Sequence, residues 1–124
     1  LGFLVIGGAF SEGINLVDDR LIGAVVIGIG MPRLNFESDQ IAHYFKEQDK
    51  PGRDYAYLNP GMNKIMQAVG RVIRSENDRG AVLLIDERYM YHQYQELFRI
   101  EWNNYVVVLT PQEVKDQLSR FFKE

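Results

Sequence analysis

The sequence predicts an α/β fold, a mostly parallel sheet with helices on both faces. Three observations carry that expectation. Four short runs rich in Val, Ile and Leu are apolar at nearly every position, as strands covered on both faces are. The stretches between them carry apolar residues at helical spacing. The 124 residues suffice for one compact domain with one hydrophobic core, and not for two. Buried strands alternating with amphipathic helices assemble into such a sheet.

Taken in chain order, residues 3–6 (Phe-Leu-Val-Ile) are expected as the first strand and residues 24–29 as the second, each ending in glycine. Ser38 is placed to cap a helix that carries Ile41, Tyr44 and Phe45 on one face. Residues 46–59, with Pro51-Gly52 among several charges, read as an exposed loop. From Met62 to about Arg74, the set Met62, Ile65, Met66, Val69, Val72 and Ile73 forms a helical stripe. Residues 81–85 (Ala-Val-Leu-Leu-Ile) are the third strand. Tyr89 to Phe98 repeats the helical pattern with Met90, Tyr94, Leu97 and Phe98, and residues 105–109 (Tyr-Val-Val-Val-Leu) are the fourth strand. The last helix has the fullest set of start signals: Thr110 as N-cap, Pro111 at the first helical position and Glu113 placed for a capping box. Val114, Leu118, Phe121 and Phe122 then fall on one face.

Composition narrows the function classes. Apolar residues make up 46% and charged residues 25%, the make-up of an ordinary globular protein. The net charge of −3 argues against a surface that binds nucleic acid all over. With no cysteine, the chain has no disulfide, thiolate nucleophile, cysteine zinc site or iron–sulfur cluster of its own. His43 and His92 lack a second ligand one helical turn away, so they read as surface or packing residues and no metal site is expected. No apolar run nears the roughly 20 residues that span a bilayer, and no signal peptide is visible, so a cytoplasmic protein without a membrane partner is expected. The chain starts without Met and inside an apparent strand, as a piece of something longer would.

The charges are uneven. Residues 1–52 hold four basic and seven acidic groups, whereas residues 62–74 hold Lys64, Arg71 and Arg74 and no acid. The acidic total therefore hides one cationic segment.

Three patterns mislead. Gly28-Ile29-Gly30 follows a strand, as in the dinucleotide fingerprint, but Arg33 stands where the third glycine is needed. Gly8 to Gly13 has the spacing of a phosphate loop without the lysine that follows it. Residues 81–85 followed by Asp86-Glu87 look like a Walker B strand, yet no Walker A loop stands in the chain to bring it a nucleotide. A structural pair between Asp86 and Arg88 at the strand end is the better reading. Trp102 and most Tyr and Phe fall on apolar stripes and are expected in the core.

The segment Gln67-Ala68-Val69-Gly70-Arg71-Val72-Ile73-Arg74 carries the chemistry. On a helix, positions 67, 71 and 74 share one face, opposite the apolar stripe. One amide and two guanidiniums over ~10 Å suit a polyanion, with phosphate the obvious candidate. Gly70 leaves room for close approach, at a helix-propensity cost of ~1 kcal/mol. Taken alone, the spacing fits a solvated helix face equally well.

The pattern Q-x-x-G-R-x-x-R resembles motif VI of superfamily 2 helicases, and Gly8-Ala9-Phe10-Ser11-Glu12-Gly13-Ile14-Asn15-Leu16 is similar to motif V. The form of these motifs resembles the DinG/XPD branch, as do Gly30-Met31-Pro32, Tyr57-Leu58-Asn59-Pro60 and the segment from Ser75 to Arg88. The likeness runs in order over about residues 3–100. It implies a three-layer, RecA-like (P-loop NTPase-type) fold, here the truncated second motor domain of an ATP-dependent DNA helicase involved in DNA repair, moving 5′ to 3′. It further implies ATP and Mg²⁺ bound mainly by a first motor domain that brings Walker A and B, and any iron–sulfur cluster outside this chain. Arg71 and Arg74 would act as arginine fingers, and Gln67 would bind phosphate or the attacking water. Gly8, Ser11, Glu12, Gly13 and Asn15 would couple the nucleotide to single-stranded DNA, while Gly70, Asp86 and Arg88 give structural support. The family usually has Asp where Asn15 stands, which removes a negative charge beside the arginines.

The implied partners are ATP, single-stranded DNA and the N-terminal motor domain of the same polypeptide. The chain alone is expected to hydrolyse no ATP. Two alternatives stay open: a stand-alone α/β anion-binding or protein-interaction module, and a helicase acting on RNA.

Overall fold

The computed structural model describes residues 2–6, 8, 21–73 and 78–123. Its sheet pairs β1 (Gly23–Ile27) with β2 (Ala81–Ile85) in parallel, in register from Gly23 opposite Ala81 to Ile27 opposite Ile85. The crossover between them carries helices, as a parallel pair requires. These are α1 (Phe36–Lys46), a π-helical turn (Asp54–Leu58) and α2 (Asn59–Val69). Beyond β2 lie a 3₁₀ turn (Glu87–Met90), the short α3 (His92–Gln95), a second 3₁₀ turn (Ile100–Trp102) and α4 (Pro111–Lys123).

The core lies where α2 packs against β1. Val26, Ile29, Leu58, Met62, Ile65 and Val69 meet Tyr89 and Tyr94, and Ile65 is wholly buried. Tyr89 ties β1 to the segment after β2 by donating its hydroxyl to the Gly28 carbonyl at 2.6 Å. Gly28 and Gly30 both have positive φ, 84° and 56°, so this G-x-G serves a left-handed turn off the strand.

The helix starts follow local chemistry. Asn35, not Ser38, caps α1: its side chain accepts from the Ser38 backbone N–H at 2.8 Å, and Ser38 sits buried in the first turn. At α4 the Glu113 N–H reaches the Thr110 hydroxyl at 3.3 Å, and the Glu113 carboxylate accepts from the Leu109 N–H at 2.8 Å. That is the expected capping box, shifted back by one residue on its return arm.

Several expectations are corrected. Residues 46–59 are not an exposed loop throughout: after Pro51 the chain is helical, with Ala56, Tyr57 and Leu58 buried. Pro60 gives the reason for the wide turn that precedes α2. Its ring would strike the carbonyl four residues earlier in a regular helix, and a π-turn moves that carbonyl aside. Tyr57 donates to the Asp39 carboxylate at 2.6 Å, which joins this turn to α1 and raises the phenol's pKa. The helix expected over residues 89–98 is broken at Tyr91, whose backbone is extended.

Residues 3–6 and 105–109 form no strand. Phe3 is 90% exposed and Leu109 86%, and neither run pairs with a strand among the described residues. β1 is also not covered on both faces: Val26 points into the core, but Val25 and Ile27 stand exposed. On α1, Ile41 and Tyr44 are exposed and Phe45 is half-buried. On α4, Leu118, Phe121 and Phe122 are each 40% exposed or more. Apolar strand sequences need a partner strand and a covering layer, and neither is encoded within the run itself.

Candidate functional site

The site grows from the end of α2. Val69 and Val72 are buried and turn this stretch of chain so that Gln67 faces outward, with Arg71 half-exposed beside it. Where a helix was expected to run to about Arg74, α2 instead stops at Val69 with Gly70 as its C-cap. The chain then tightens: the Arg71 N–H reaches the Ala68 carbonyl at 3.3 Å and the Val72 N–H reaches that of Val69 at 2.9 Å. Gln67 and Arg71 are thus neighbours through a helix end and a turn, not through one continuous face.

Gly70 has ordinary helical angles, so its backbone does not demand glycine. A Cβ there would lie 3.1 Å from the Met66 carbonyl and on the wall of the cleft. That open cleft, about 500 Å³, is lined by Met66, Gln67, Gly70, Arg71, Ile73 and Arg99. Its described lining includes two guanidiniums and one amide.

Arg99 is the lining residue that sequence reasoning missed. Its segment is held by aromatic packing: Phe98 lies 5.5 Å from Trp102 and 6.2 Å from Tyr89, ring centre to ring centre, and packs against the core. The Arg99 carbonyl accepts from the Trp102 N–H at 2.9 Å. A lone arginine after an aromatic carries no signal linking it to Arg71.

Asp86 and Arg88 stand apart from the cleft lining. Asp86 ends β2 and caps the following 3₁₀ turn through the Arg88 N–H at 3.0 Å, while both its oxygens hold the Arg88 side chain. That side-chain bond is the main cause that keeps the Asp86 carboxyl below the usual carboxylate range. A carboxylate so engaged does not suit Mg²⁺, and among the described residues no three His, Asp or Glu side chains group as ligands. His43 and His92 pair with Glu47 and Glu96 on exposed helix faces.

Of the motif V residues, Gly8 is described, its N–H bonded to the Val5 carbonyl at 3.0 Å. Ser11, Glu12, Gly13 and Asn15 lie outside the described residues, as does Arg74.

Comparison with known proteins gives a consistent result. A family model described as the helicase C-terminal domain matches residues 1–105. ATP-dependent DNA helicase chl-1 of Caenorhabditis elegans is 40% identical over 90 residues, 70% of this chain and 11% of that protein. ATP-dependent DNA helicase DDX11 of Danio rerio is 35% identical over 95 residues, 70% and 10% respectively. ATP-dependent DNA helicase CHL1 of Scheffersomyces stipitis is 32% identical over 134 residues, 92% and 16%. The chain thus spans only a small part of the length of the curated relatives it matches. Among the described residues, no helix is long and apolar enough to cross a membrane.

Proposed function

Because the chain belongs to the helicase C-terminal domain family, of the DinG/XPD type of superfamily 2 ATP-dependent DNA helicases, we propose that it works as the second motor domain of such an enzyme. It completes a three-layer RecA-like fold and supplies one wall of an ATP site whose other wall belongs to the N-terminal motor domain of the same polypeptide. The observation that carries this reading is the cleft in which Gln67, Gly70 and Arg71 stand together.

The chemistry follows from those side chains. Arg71 presents a planar fork of donors that matches two phosphate oxygens at once. Placed at the terminal phosphate, it neutralises charge that develops on the transferred phosphoryl group, an effect of ~10³–10⁵ in rate where it has been isolated. Arg74 is the second finger. Gln67 hydrogen-bonds the phosphate or orients the attacking water. Gly70, without a side chain, lets the phosphate chain approach the helix end. Mg²⁺ would be held by the first motor domain with Walker A and B, and would supply charge neutralisation at the phosphates.

Motif V, comprising Gly8, Ser11, Glu12, Gly13 and Asn15, links the nucleotide cleft to single-stranded DNA held across both domains. DNA affinity is phosphate-driven and salt-sensitive, and weak for this acidic piece alone. Without Walker A, the piece hydrolyses no ATP by itself.

The test is Arg71→Ala in the full-length helicase. DNA-stimulated ATP turnover falls by about 10³ or more, while the melting temperature stays near that of the parent. Wild-type turnover would overturn the reading.

A further inference from the structure

We infer that the aromatic cluster of Tyr44, Phe45 and Tyr55, with Lys46, Lys50 and Arg53 around it, is a contact site for single-stranded DNA on which bases stack. The inference rests on the proposed function, which supplies the strand, and adds a site separate from motif V and from the cleft. None of the six residues lines the cleft around Arg71. The cluster joins the end of α1 to the π-helical turn.

The geometry is that of a stacking surface. The Phe45 and Tyr55 rings lie nearly parallel, 4.3 Å apart between centres and 18° between planes, and Tyr44 meets Phe45 close to a right angle at 5.4 Å. Tyr44 is nevertheless 58% exposed and Tyr55 40%. A core cluster buries its rings, whereas here Phe45 is the half-buried base and two tyrosines stand in solvent. The frame beneath them is fixed. Gly52 is buried against the Ala42 backbone, and Tyr57 donates to the Asp39 carboxylate at 2.6 Å. Rings with few rotatable bonds, carried on a fixed backbone, lose little freedom when a base arrives.

The charges around the rings define the kind of ligand. Lys46, Lys50 and Arg53 are exposed, and the Lys50 ammonium lies 5.7 Å from the centre of the Phe45 ring. The same stretch carries Glu47, which pairs with His43 at 3.4 Å, and also Asp49 and Asp54. Three cations against three carboxylates make no trap for a polyanion as such. The rings therefore carry the affinity, and the cations serve the phosphates on either side of a stacked base. Every base has a π-face, so the contact tolerates any sequence, as a strand moving through a motor requires.

The experiment measures, by fluorescence anisotropy at low and high salt, how the full-length helicase binds labelled oligo(dT) and an abasic strand of the same length. The proteins are the parent, Tyr44→Ala, Tyr44→Trp and the double variant Lys50→Glu with Arg53→Glu. Loss of one stacking contact in Tyr44→Ala raises Kd for oligo(dT) about fivefold or more at either salt concentration, and leaves Kd for the abasic strand within about twofold of the parent. Tyr44→Trp binds like the parent. The double variant weakens binding of both strands, and less so as salt rises. Parental melting temperatures show that the variants fold, and ATP turnover at saturating single-stranded DNA stays within about twofold of the parent, because the site binds strand and not nucleotide. Parental Kd for oligo(dT) in both Tyr44→Ala and the double variant overturns the inference and leaves the proposed function standing; a surface that serves a protein partner gives this result. Equal weakening of oligo(dT) and the abasic strand by Tyr44→Ala overturns it as well. A parent whose ATP turnover does not respond to single-stranded DNA overturns the proposed function itself.

Discussion

The Asp86 carboxylate holds Arg88 at both of its oxygens: Oδ1 accepts from Nε and Oδ2 from the terminal guanidinium nitrogen, each at 2.7 Å. Oδ1 also caps the backbone of Arg88 at 3.0 Å. The pair closes the end of β2, where a Walker B carboxylate would have to remain available to a metal.

Asp86→Asn in the full-length protein is therefore expected to cost about 1–2 kcal/mol of stability, read by chemical denaturation, and to leave ATP turnover per folded molecule close to wild type. The pH dependence has a definite sign. Because the folded carboxyl titrates below its ordinary range, its stabilisation is present above about pH 4 and is lost as pH falls through the folded value. The stability gap between the parent and Asp86→Asn should close on acidification. Abolished turnover in a fully folded Asp86→Asn would instead mark Asp86 as catalytic.

Tyr89 is buried, and its hydroxyl spans from the segment after β2 to the Gly28 carbonyl beside β1. Tyr89→Phe removes that bond and leaves the carbonyl unsatisfied, for about 1–2 kcal/mol. Burial, and then the nearby Asp86 charge, push the phenol up to about 12. The parent should lose stability as pH rises from about 10 towards 12, and Tyr89→Phe should lack that loss. Parallel alkaline unfolding curves for the two proteins would refute the assignment.

At Gly52 the backbone of the turn before the π-helix lies against α1. A Cβ built there would stand 1.9 Å from the Ala42 carbonyl oxygen, a backbone atom with no room to yield. Gly52→Ala should cost about 1–3 kcal/mol, visible as a lowered melting temperature. Gly70→Ala, with 3.1 Å to the Met66 carbonyl, should cost less stability, and its effect should appear in nucleotide hydrolysis. Equal melting temperatures for Gly52→Ala and the parent would refute the close approach.

Local chemistry was legible residue by residue. Thr110, Pro111 and Glu113 start α4 because every atom of a cap lies within four residues of the others. The same rule placed α1 but chose the wrong cap: Asn35 and Ser38 both qualify by type, and the bond runs from Ser38 to Asn35. The identities of Gln67, Gly70 and Arg71 carried the family, now supported by the match over residues 1–105. Their geometry did not follow from periodicity, because α2 ends at Val69 and a turn sets Arg71 beside Gln67.

By itself, then, the sequence determined what depends on neighbours along the chain: helix starts, the left-handed turn at Gly28 and Gly30, and the motif that names the family. Tertiary structure alone decided what depends on surfaces meeting. It decided which apolar runs found a strand partner, which face of β1 was covered, and that Arg99 would line the same cleft as Arg71, whereas the pair of Asp86 with Arg88, two residues apart, was already legible in the sequence. The physical reason is that hydrophobic burial is non-directional, so an apolar run states that it will be stabilised by cover without stating what covers it. Hydrogen bonds and caps are short-ranged and directional, and that makes them readable from spacing.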